Sequence, residues 1–553
     1  MTDEMFDYVI VGAGSAGCVL ADRLTENGRH KVLVLEHGGS DRSIFVQMPT
    51  ALSIPMNTRR YNWRYHTGPE SALGGRSLHT PRGKVLGGSS SINGLVYIRG
   101  NPHDFDRWQE EGASGWSYAQ VLPYFRRAET RFDGGDAYRG DHGPLQTRYG
   151  LLTNPLHDAW LKAGQQAGYP YTADVNGRQQ EGVGRFDMTV GGGRRSSAAN
   201  AYLRPAMRRR NLSVRTHAFV TRVLFEGRRA TGVEYERGGS RQIARVGREV
   251  IVAGGPINSP QLLKLSGVGP ADELRSHEIA LVHALAGVGE NLQDHLEFYF
   301  QMSCREPVSL YSALSLWSKA GIGIRWILRK DGLGATNHFE TGGFIRSRAG
   351  VRYPDIQFHF LPLAMNYDGS SPANEHGFQA HVGPMRTKSR GWVRLRSREP
   401  RVAPAILFNY MSHPDDWTEM RACVRLAREI FAQPAFDRYR GREIQPGAHV
   451  TTDAAIDAFV RDKIESAYHP CGSCKMGAAG DPAAVVDSQL RVLGVEGLRV
   501  VDSSVMPSVT TGNLNAPTIM LAEKAADHIL DRPLLEPSSA PYFTAANWRD
   551  TQR

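Results

Sequence analysis

The residues best suited to chemistry stand near the start of the chain, in the run Gly12-Ala13-Gly14-Ser15-Ala16-Gly17. This GxGxxG spacing is typical of a loop that binds a dinucleotide. Bare backbone at Gly12 and Gly14 lets a pyrophosphate approach the N-terminus of the next helix, where free N–H groups and the helix dipole stabilise anions. Ser15 and Ala16 would begin that helix, and Gly17 would let it pack closely on a strand. A plain glycine-rich turn is the alternative interpretation.

The elements around this motif favour the dinucleotide interpretation. Residues 6–11 form a β-branched and aromatic run typical of a buried strand, residues 15–26 have helical apolar spacing, and residues 31–35 form a second short strand. A βαβ unit of this kind predicts a parallel sheet. Glu36 ends the second strand, where its carboxylate could accept hydrogen bonds from both hydroxyls of a ribose.

Two further glycine-rich segments could contact an extended cofactor through their backbone. Residues 83–94 are too rich in glycine for a helix or a regular strand, and residues 255–260 and 266–269 have the same character. Such loops suit N–H donation to phosphate and ring atoms, and they favour FAD over NAD. The predicted contacts outside the first motif are Val85, Gly88, Asn93, Gly94, Val96 and Val220.

Composition excludes several classes of protein. The 553 residues are 41% hydrophobic and 22% charged, with a net charge of +10, a balance typical of globular proteins. The basic residues are scattered and the run 208–210 is too short for a nucleic-acid tract. Five cysteines make no disulfide framework, and neither a signal-peptide pattern nor a membrane-spanning run is present. We expect a cytoplasmic protein that binds no nucleic acid, and peripheral contact with the inner membrane stays open.

Changes in residue composition and pattern along the chain predict an α/β protein with a discontinuous cofactor domain. We assign residues 1–150, 193–300 and 464–536 to that domain, residues 151–192 to a loop-rich substrate-domain segment or lid, residues 301–463 to an inserted substrate domain, and residues 537–553 to a tail. Within these units we predict a hairpin-like pair of strands over 212–226, strands at 250–253 and 356–361, and a helix over 417–432.

Three segments carry a resemblance to a known family. Residues 83–94, 255–269 and 288–295 resemble signature patterns of the glucose–methanol–choline (GMC) oxidoreductases, and the resemblance extends from residue 6 to about residue 532. It implies FAD as cofactor and a Rossmann-like FAD-binding domain with an inserted α+β substrate-binding domain.

The resemblance also implies catalytic positions. His469 matches the active-site histidine beside the flavin, and a histidine can take the hydroxyl proton while hydride leaves the alcohol carbon. Asn513 matches the second catalytic position, where an amide can hydrogen-bond the substrate oxygen. Asp502 matches a second contact with the phosphate and ribityl region. A buried core histidine and a turn asparagine are the alternative interpretations of the first two.

Differences from other members of the family refine the cofactor prediction. Ile92 stands where some members bond a histidine covalently to the flavin, and isoleucine cannot form that bond. We therefore expect non-covalent FAD. Gly94 replaces a serine of choline oxidases, so a hydroxyl is missing there. Cys471 and Cys474 lack the further ligands that a zinc site needs, and we predict a structural or redox-sensitive pair without a metal.

Within the family, longer stretches resemble choline-oxidising members. Glu340 corresponds to the carboxylate that faces the trimethylammonium group in choline oxidases. Aromatic rings could add cation–π attraction, and the predicted substrate contacts are Glu340, His359, Tyr468, Phe360 and Trp63. Oxidation to betaine aldehyde, and onward to glycine betaine, would pass electrons to a quinone or another acceptor.

Three alternatives stay open. Aliphatic-alcohol dehydrogenases of the same family also carry a glutamate at position 340, and Glu340 could pair with an arginine of this chain. A hydroxynitrile lyase on the same scaffold would hold FAD without net redox chemistry. An NAD-dependent dehydrogenase is the third alternative.

Overall fold

A seven-stranded sheet joins the first and last parts of the chain. The computed structural model describes residues 4–366 and 374–553. The strand order is Leu212–Arg215, Val32–Leu35, Glu4–Val11, Ser240–Val252, Arg229–Arg237 and Phe219–Glu226, and Leu498–Val500 pairs with Ser240–Val252. The four-residue strand Val32–Leu35 is buried throughout, as expected for a parallel strand covered on both faces.

The predicted βαβ unit is confirmed. Strand Glu4–Val11 leads into helix Ser15–Thr25, and Val32–Leu35 returns parallel to the first strand. The predicted hairpin over 212–226 is wrong. Leu212–Arg215 pairs in parallel with Val32–Leu35, whereas Phe219–Glu226 pairs with Arg229–Arg237. The tight turn lies at Gly227, whose φ of +58° suits glycine, so the hairpin begins one strand later.

A second, eight-stranded sheet shares the lining of one cavity with the first. Its order is Arg440–Gln445, Leu296–Cys304, Gly377–Pro384, Ile356–Leu361, Thr341–Ile345, Gly182–Arg185 and Tyr171–Thr172, and Glu465–Ser466 pairs with Leu296–Cys304. The predicted strand over 356–361 is confirmed. The segment 151–192 is less loop-rich than expected, because Asn154 caps a helix over Pro155–Gln166, an Asn-Pro start that suits a helix N-terminus.

The remaining elements connect and cover the two sheets. A four-stranded sheet contains Val96–Tyr97, Asp187–Met188, Leu145–Tyr149 and Glu129–Arg131. The other strand pairs are Val190–Gly191 with Arg194–Arg195, Val268–Gly269 with His283–Ala284, Trp392–Arg394 with Ala405–Leu407, and Tyr65–His66 with His79–Thr80. The other α-helices are Ile44–Gln47, Ser53–Asn57, Pro102–Glu110, Tyr118–Ala128, Arg204–Ala206, Gly255–Leu265, Ala271–Ser276, Leu316–Arg329, Pro414–Phe431, Asp453–Lys463 and Asn515–Ile529.

Short tight helices complete the fold, at Pro49–Ala51, Ser71–Leu73, Gly88–Ser91, Leu310–Leu314, Gly332–Ala335, Pro434–Phe436 and Ser503–Val505, with a π-helix at Ala199–Leu203. The helix predicted over 417–432 is confirmed as Pro414–Phe431. In the described parts of the chain, no helix is both long and apolar enough to cross a membrane.

Each large sheet has its own hydrophobic core. One buried cluster surrounds the first sheet and includes helix Asn515–Ile529, which packs on helix Ser15–Thr25. The second surrounds the eight-stranded sheet and is rich in phenylalanine. The domain boundaries given above stay a prediction, and strand Leu296–Cys304 crosses the one placed at residue 300.

Candidate active site

A cavity of about 420 Å³ lies between the two large sheets. The carboxyl ends of the parallel strands in the first sheet form one wall, where α/β sheets usually bind ligands. The second sheet contributes side chains to the opposite wall. The predicted site residues that line the cavity are Gly12, Gly14, Ser15, Ala16, Glu36, Trp63, Gly88, Asn93, Gly94, Val96, Val220, His359, Tyr468, His469, Asp502 and Asn513.

Two glycines of the motif, Gly12 and Gly17, leave no room for a side chain. Gly12 has a φ of +103°, and a Cβ there would stand 2.5 Å from the carbonyl oxygen of Ala253. A Cβ at Gly88 would stand 2.7 Å from Cα of Gly14. Gly17 lies outside the cavity wall, and a Cβ there would stand 2.0 Å from the carbonyl oxygen of Gly12. Gly17 therefore lets the helix pack on the loop, while Gly12 and Gly14 leave bare backbone facing the cavity.

Two carboxylates border the same end of the cavity. Glu36 accepts backbone hydrogen bonds from Ala13 (2.9 Å) and Gly38 (2.7 Å), and burial raises the pKa of its carboxyl to about 7. Asp502 accepts from the backbone of Gly255 (2.8 Å) and the hydroxyl of Ser259 (2.6 Å), and burial raises its pKa. Both side chains are held in place by backbone donors and retain lone pairs for a bound polyol.

These features fit a flavin dinucleotide. The bare glycine cradle could admit a pyrophosphate, and the fixed carboxylates could accept hydroxyl hydrogens of ribose and ribityl groups. Within the described residues, Nδ1 of His37, beside Glu36, is buried without a hydrogen-bond partner, as expected of a wall that contacts a polar ligand. Val85 lies outside the wall, because its side chain packs against Val46, Tyr61 and Ile92.

The structure brings His469 and Asn513 into direct contact. Nδ2 of Asn513 lies 3.0 Å from Nε2 of His469, and Oδ1 of Asn513 lies 3.3 Å from Nε2 of His359. His469 follows Tyr468, whose φ is +65°. The three side chains come from three separate parts of the chain and meet at one point of the cavity wall.

A buried aspartate fixes the backbone around the histidine. Asp294 accepts hydrogen bonds from the backbone N–H of His469 (2.7 Å) and of His295 (2.9 Å), and from the hydroxyls of Tyr410 and Ser466. Burial raises the pKa of Asp294 to about 6. Sequence analysis missed this role, although Asp294 belongs to one of the segments that carry the family resemblance.

His295 determines which nitrogen of His469 carries the proton. Nε2 of His295 lies 3.1 Å from the carbonyl oxygen of Met385, which can only accept, so this nitrogen carries a hydrogen. Burial lowers the pKa of His295 to about 4, so its Nδ1 holds a lone pair. Nδ1 of His469, 3.1 Å away, donates to that lone pair. Nε2 of His469 is therefore unprotonated and faces Asn513.

Glu297 supplies the cavity's third carboxylate, and sequence analysis missed it. Its Oε1 lies 2.8 Å from Nδ1 of His381, and both side chains line the cavity together with Phe339. The Phe339 ring lies 5.4 Å from the His381 ring in an edge-on arrangement. An acid at the start of the aromatic strand Leu296–Cys304 was the available signal, because a buried strand tolerates a charge only where it has a partner.

The structure places Glu340 outside the cavity wall. Its oxygens accept from the hydroxyl of Thr336 (2.6 Å) and the backbone of Leu152 (2.6 Å). Over residues 4–366 and 374–553 it makes no ion pair, so pairing with an arginine is not seen either. The backbone of Gly150 approaches so closely that a Cβ there would stand 2.2 Å from the carboxyl carbon. Its placement gives no support to contact with a substrate cation.

Two aromatic residues also lie away from the predicted substrate position. Phe360 is fully buried and stacks on Trp160 at 5.2 Å. Side chains alternate along a strand, so His359 faces the cavity while Phe360 faces the core. Trp63 lines the cavity but stacks on His37 at 4.9 Å, beside Glu36. It therefore borders the nucleotide end of the cavity.

The cysteine pair gives no metal site. Cys471 and Cys474 are buried and free, and burial raises the pKa of both thiols. The described residues contain no group of three or more histidine, cysteine, aspartate or glutamate side chains that could hold a metal ion.

Comparison with known proteins agrees with this geometry. Family models described as GMC oxidoreductase match residues 6–297 and 387–522. The chain is 57% identical over 547 residues to a protein of Brucella suis biovar 1 named oxygen-dependent choline dehydrogenase, a match that covers 99% of this chain and 100% of that one. A protein of the same name from Photobacterium profundum is 58% identical over 550 residues, covering 99% and 97%.

Solved structures match along the whole fold. Pyridoxine 4-oxidase from Mesorbium loti is 29% identical with a TM-score of 0.86, covering 95% of this chain and 99% of that one. A variant of the formate oxidase of Aspergillus oryzae RIB40, studied for FAD modification, is 26% identical with a TM-score of 0.89, covering 96% and 99%. The predicted fold class, a Rossmann-like domain with an inserted α+β domain, is confirmed. The chain belongs to the GMC oxidoreductase family.

Proposed function

We propose that this protein is an FAD-dependent dehydrogenase that oxidises choline to betaine aldehyde. One observation carries the proposal: the unprotonated Nε2 of His469, the bare glycine cradle and the carboxylate of Glu297 line a single cavity. A proton acceptor, a dinucleotide site and a site for a cation are the three parts that oxidation of a cationic alcohol needs. The relatives named choline dehydrogenase support this choice of substrate.

The residues that would hold the cofactor are those of the glycine cradle, with Glu36 and Asp502 for its polyol groups. When bound, FAD supplies the flavin N5 that accepts hydride from the alcohol carbon. The absence of a nucleophile at Ile92, which lines the cavity, supports non-covalent binding.

His469 would take the hydroxyl proton of the substrate at Nε2. Removal of this proton concentrates electron density on the oxygen and assists departure of hydride from the neighbouring carbon. Asn513 presents its amide group to the same point and would hold the substrate oxygen. His359, which is hydrogen-bonded to Asn513, would keep that amide in position. The hydrate of betaine aldehyde is again an alcohol, so the same residues could oxidise it to glycine betaine.

Glu297 would bind the trimethylammonium group. A buried carboxylate is stabilised by a partner of opposite charge, and the substrate cation would provide one. The faces of Phe339 and Tyr468, which also line the cavity, could add about 0.5–2 kcal/mol of cation–π attraction. We assign this role to Glu297 in preference to Glu340, because only Glu297 lies in the cavity wall.

Anaerobic titration of the yellow protein tests the substrate. We would follow bleaching of the flavin with choline, with butanol, and with dimethylbutanol, which has the shape of choline but carbon in place of the charged nitrogen. Choline should bleach at a much lower concentration than either neutral alcohol. Equal bleaching by all three would make the protein a general alcohol dehydrogenase. A flavin that stays oxidised with every alcohol would support the hydroxynitrile lyase alternative. A colourless purified protein would support the NAD-dependent dehydrogenase alternative.

A pair of matched variants tests the carboxylate. Glu297→Gln should raise the KM for choline about thirtyfold, the effect of about 2 kcal/mol lost from a buried charge pair, and should leave the KM for dimethylbutanol nearly unchanged. Glu340→Gln makes the same change outside the cavity wall and should leave the choline preference intact. A choline-specific rise in KM in Glu340→Gln, with no such rise in Glu297→Gln, would assign the cation site to Glu340.

The electron acceptor can be identified by reoxidation. The relatives are named oxygen-dependent choline dehydrogenase, whereas we expect a quinone or another acceptor from the family resemblance. We would mix the reduced protein with air-saturated buffer and measure hydrogen peroxide. Fast recovery of the yellow colour with one peroxide per flavin supports oxygen, and slow recovery that a soluble quinone accelerates supports the quinone.

A further inference from the structure

One helix turns large hydrophobic side chains toward solvent. In helix Leu316–Arg329 the exposed side chains are Leu316 (83%), Trp317 (89%), Ile324 (58%), Ile327 (52%) and Leu328 (76%). Only Trp326 of this helix is buried. Scattered exposed hydrophobics are ordinary, but a contiguous group of this size marks an interaction surface.

The exposed side chains form one stripe. Successive residues of an α-helix are about 100° apart, which puts Leu316, Ile327, Ile324, Trp317 and Leu328 within an arc of about 120°. Trp326 lies on the opposite side, where its indole donates to the carbonyl oxygen of Gly193 (2.7 Å). The helix therefore contacts the rest of the protein on the side of Trp326 and presents its apolar face to solvent. A surface helix usually has the opposite arrangement, with its apolar face toward the core.

Basic residues border the stripe. Arg325 stands about 60° beyond one edge of the arc and Lys319 about 60° beyond the other, while Arg329 lies on the far side of the helix. The helix contains no acidic residue. Arg325 is paired with Asp331 just beyond the helix end. A cleft beside Trp326 contains four further cationic side chains among its lining residues, which are Arg42, Ser43, Ile44, Gln47, Arg194, Asn200, Arg204, Trp326 and Lys330. Of these cations, Arg204 is paired with Asp41, and Nζ of Lys330 donates to the carbonyl oxygens of Trp326 and Ile327. Ile44 and its neighbour Phe45 are 37% and 44% exposed.

We propose that the Leu316–Arg329 helix and its adjoining cationic cleft dock the protein on an anionic phospholipid bilayer. The apolar stripe would enter the boundary between headgroups and acyl chains, as in other interfacial amphipathic helices. The bordering lysine and arginine side chains would meet lipid phosphates. Association of two copies through this face fits less well, because a two-fold contact places the same patch on both sides and would bring like charges together.

The docking helix is connected to the active-site cavity. Gly332–Ala335, directly after the helix, packs on Pro49–Ala51, and the next residues, Leu52 and Met56, line the cavity. Ile54 between them is 43% exposed. Docking would hold this wall of the cavity near the bilayer, which suits reoxidation by a lipid-soluble acceptor. That benefit rests on the proposed function, whereas binding to vesicles does not.

Flotation of the holoenzyme with vesicles tests the docking. We would compare vesicles of phosphatidylcholine alone with equal mixtures of phosphatidylcholine and phosphatidylglycerol. The protein should float with the mixture only, and the double variant Trp317→Gln, Leu328→Gln should lower its partition coefficient about tenfold or more. Phe132→Gln, which removes a ring that is 73% exposed elsewhere, is the matched control and should bind like the parent.

Two further measurements separate the stripe from its charges. Lys319→Gln and Arg325→Gln should each weaken binding about fivefold and reduce its sensitivity to salt. Quenching of tryptophan fluorescence by brominated acyl chains should be seen in the parent and lost in Trp317→Phe, which should still float. Both sets of variants should bleach with choline like the parent in the absence of lipid, so a failure of the proposed function would not affect this result.

Three outcomes would overturn the proposal. The first is equal flotation of the parent and the double variant. The second is binding to the mixed vesicles without quenching at Trp317. The third is a change from dimer to monomer in the double variant, seen by light scattering, with no vesicle binding by the parent; the face would then be an interface between copies.

Discussion

The imidazole of His469 is held in one tautomer by hydrogen bonds that end on the carbonyl oxygen of Met385. Each ring nitrogen in this chain of hydrogen bonds is either a donor or an acceptor. A carbonyl oxygen can only accept, and the neutral His295 ring has a single N–H to donate. The same chain of hydrogen bonds orients the ring toward Asn513. The proton acceptance that we propose for His469 therefore depends on His295, which lies outside the cavity wall.

The pH dependence of hydride transfer should reflect the environment of His469. Burial lowers the pKa of its imidazole well below 6.5, and His295, His359 and Arg82 add to the effect. A base works in its unprotonated form, and a lowered pKa extends that form to more acidic solution. We expect the limiting rate of flavin reduction by choline to stay flat from about pH 8 to about pH 6. Stopped-flow measurements that show a loss centred near 6.5 would contradict this.

Removal of the imidazole should separate catalysis from cofactor binding. His469→Ala should keep bound FAD and lose about two to four orders of magnitude in the rate of flavin reduction, the usual contribution of a general base. The exposed His413 offers a matched control, because His413→Ala removes an imidazole that does not line the cavity. Unchanged turnover in His469→Ala would exclude it as the base.

At the scale of single elements, local pattern predicts some features and misses others for physical reasons. The βαβ unit was predictable because its strands, helix and glycines are contiguous in the sequence. The pairing of Phe219–Glu226 was not, since a strand's pattern gives its faces and not its partner. The position of Glu297 in the cavity wall and of Glu340 outside it was unpredictable for the same reason: a carboxylate's access to a cavity depends on which strands and loops surround it.

Strand alternation gives a test of the aromatic assignments. Phe360→Leu should lower the free energy of unfolding by about 1–2 kcal/mol, as expected for a smaller side chain in a packed core, and leave the KM for choline nearly unchanged. Phe339→Leu, the same change on a side chain that lines the cavity, should raise the KM for choline and cost less stability. Urea unfolding and steady-state kinetics measure the two effects, and a choline-specific defect in Phe360→Leu would place it at the substrate.

At the scale of the whole molecule, the cofactor should be held by folding alone. The resemblance places Ile92, which lines the cavity, at the position where some family members bond the flavin covalently, and isoleucine cannot form that bond. Unfolding with guanidinium followed by filtration should therefore release all of the yellow colour into the filtrate, with the absorbance spectrum of free FAD. Colour that remains with the polypeptide would contradict non-covalent binding.

The pairing of strand Ser240–Val252 also determines how late in synthesis the first sheet can be completed. This strand takes its last parallel neighbour from Leu498–Val500, and helix Asn515–Ile529 covers the glycine-bearing helix Ser15–Thr25. A ribosome that has translated nine-tenths of the message has therefore made the dinucleotide motif but neither Asn513 nor the element that covers it. Until then the face of Ser15–Thr25 that Asn515–Ile529 covers stays uncovered. A stop codon anywhere before position 513 yields a chain without Asn513, the residue that we propose holds the substrate oxygen.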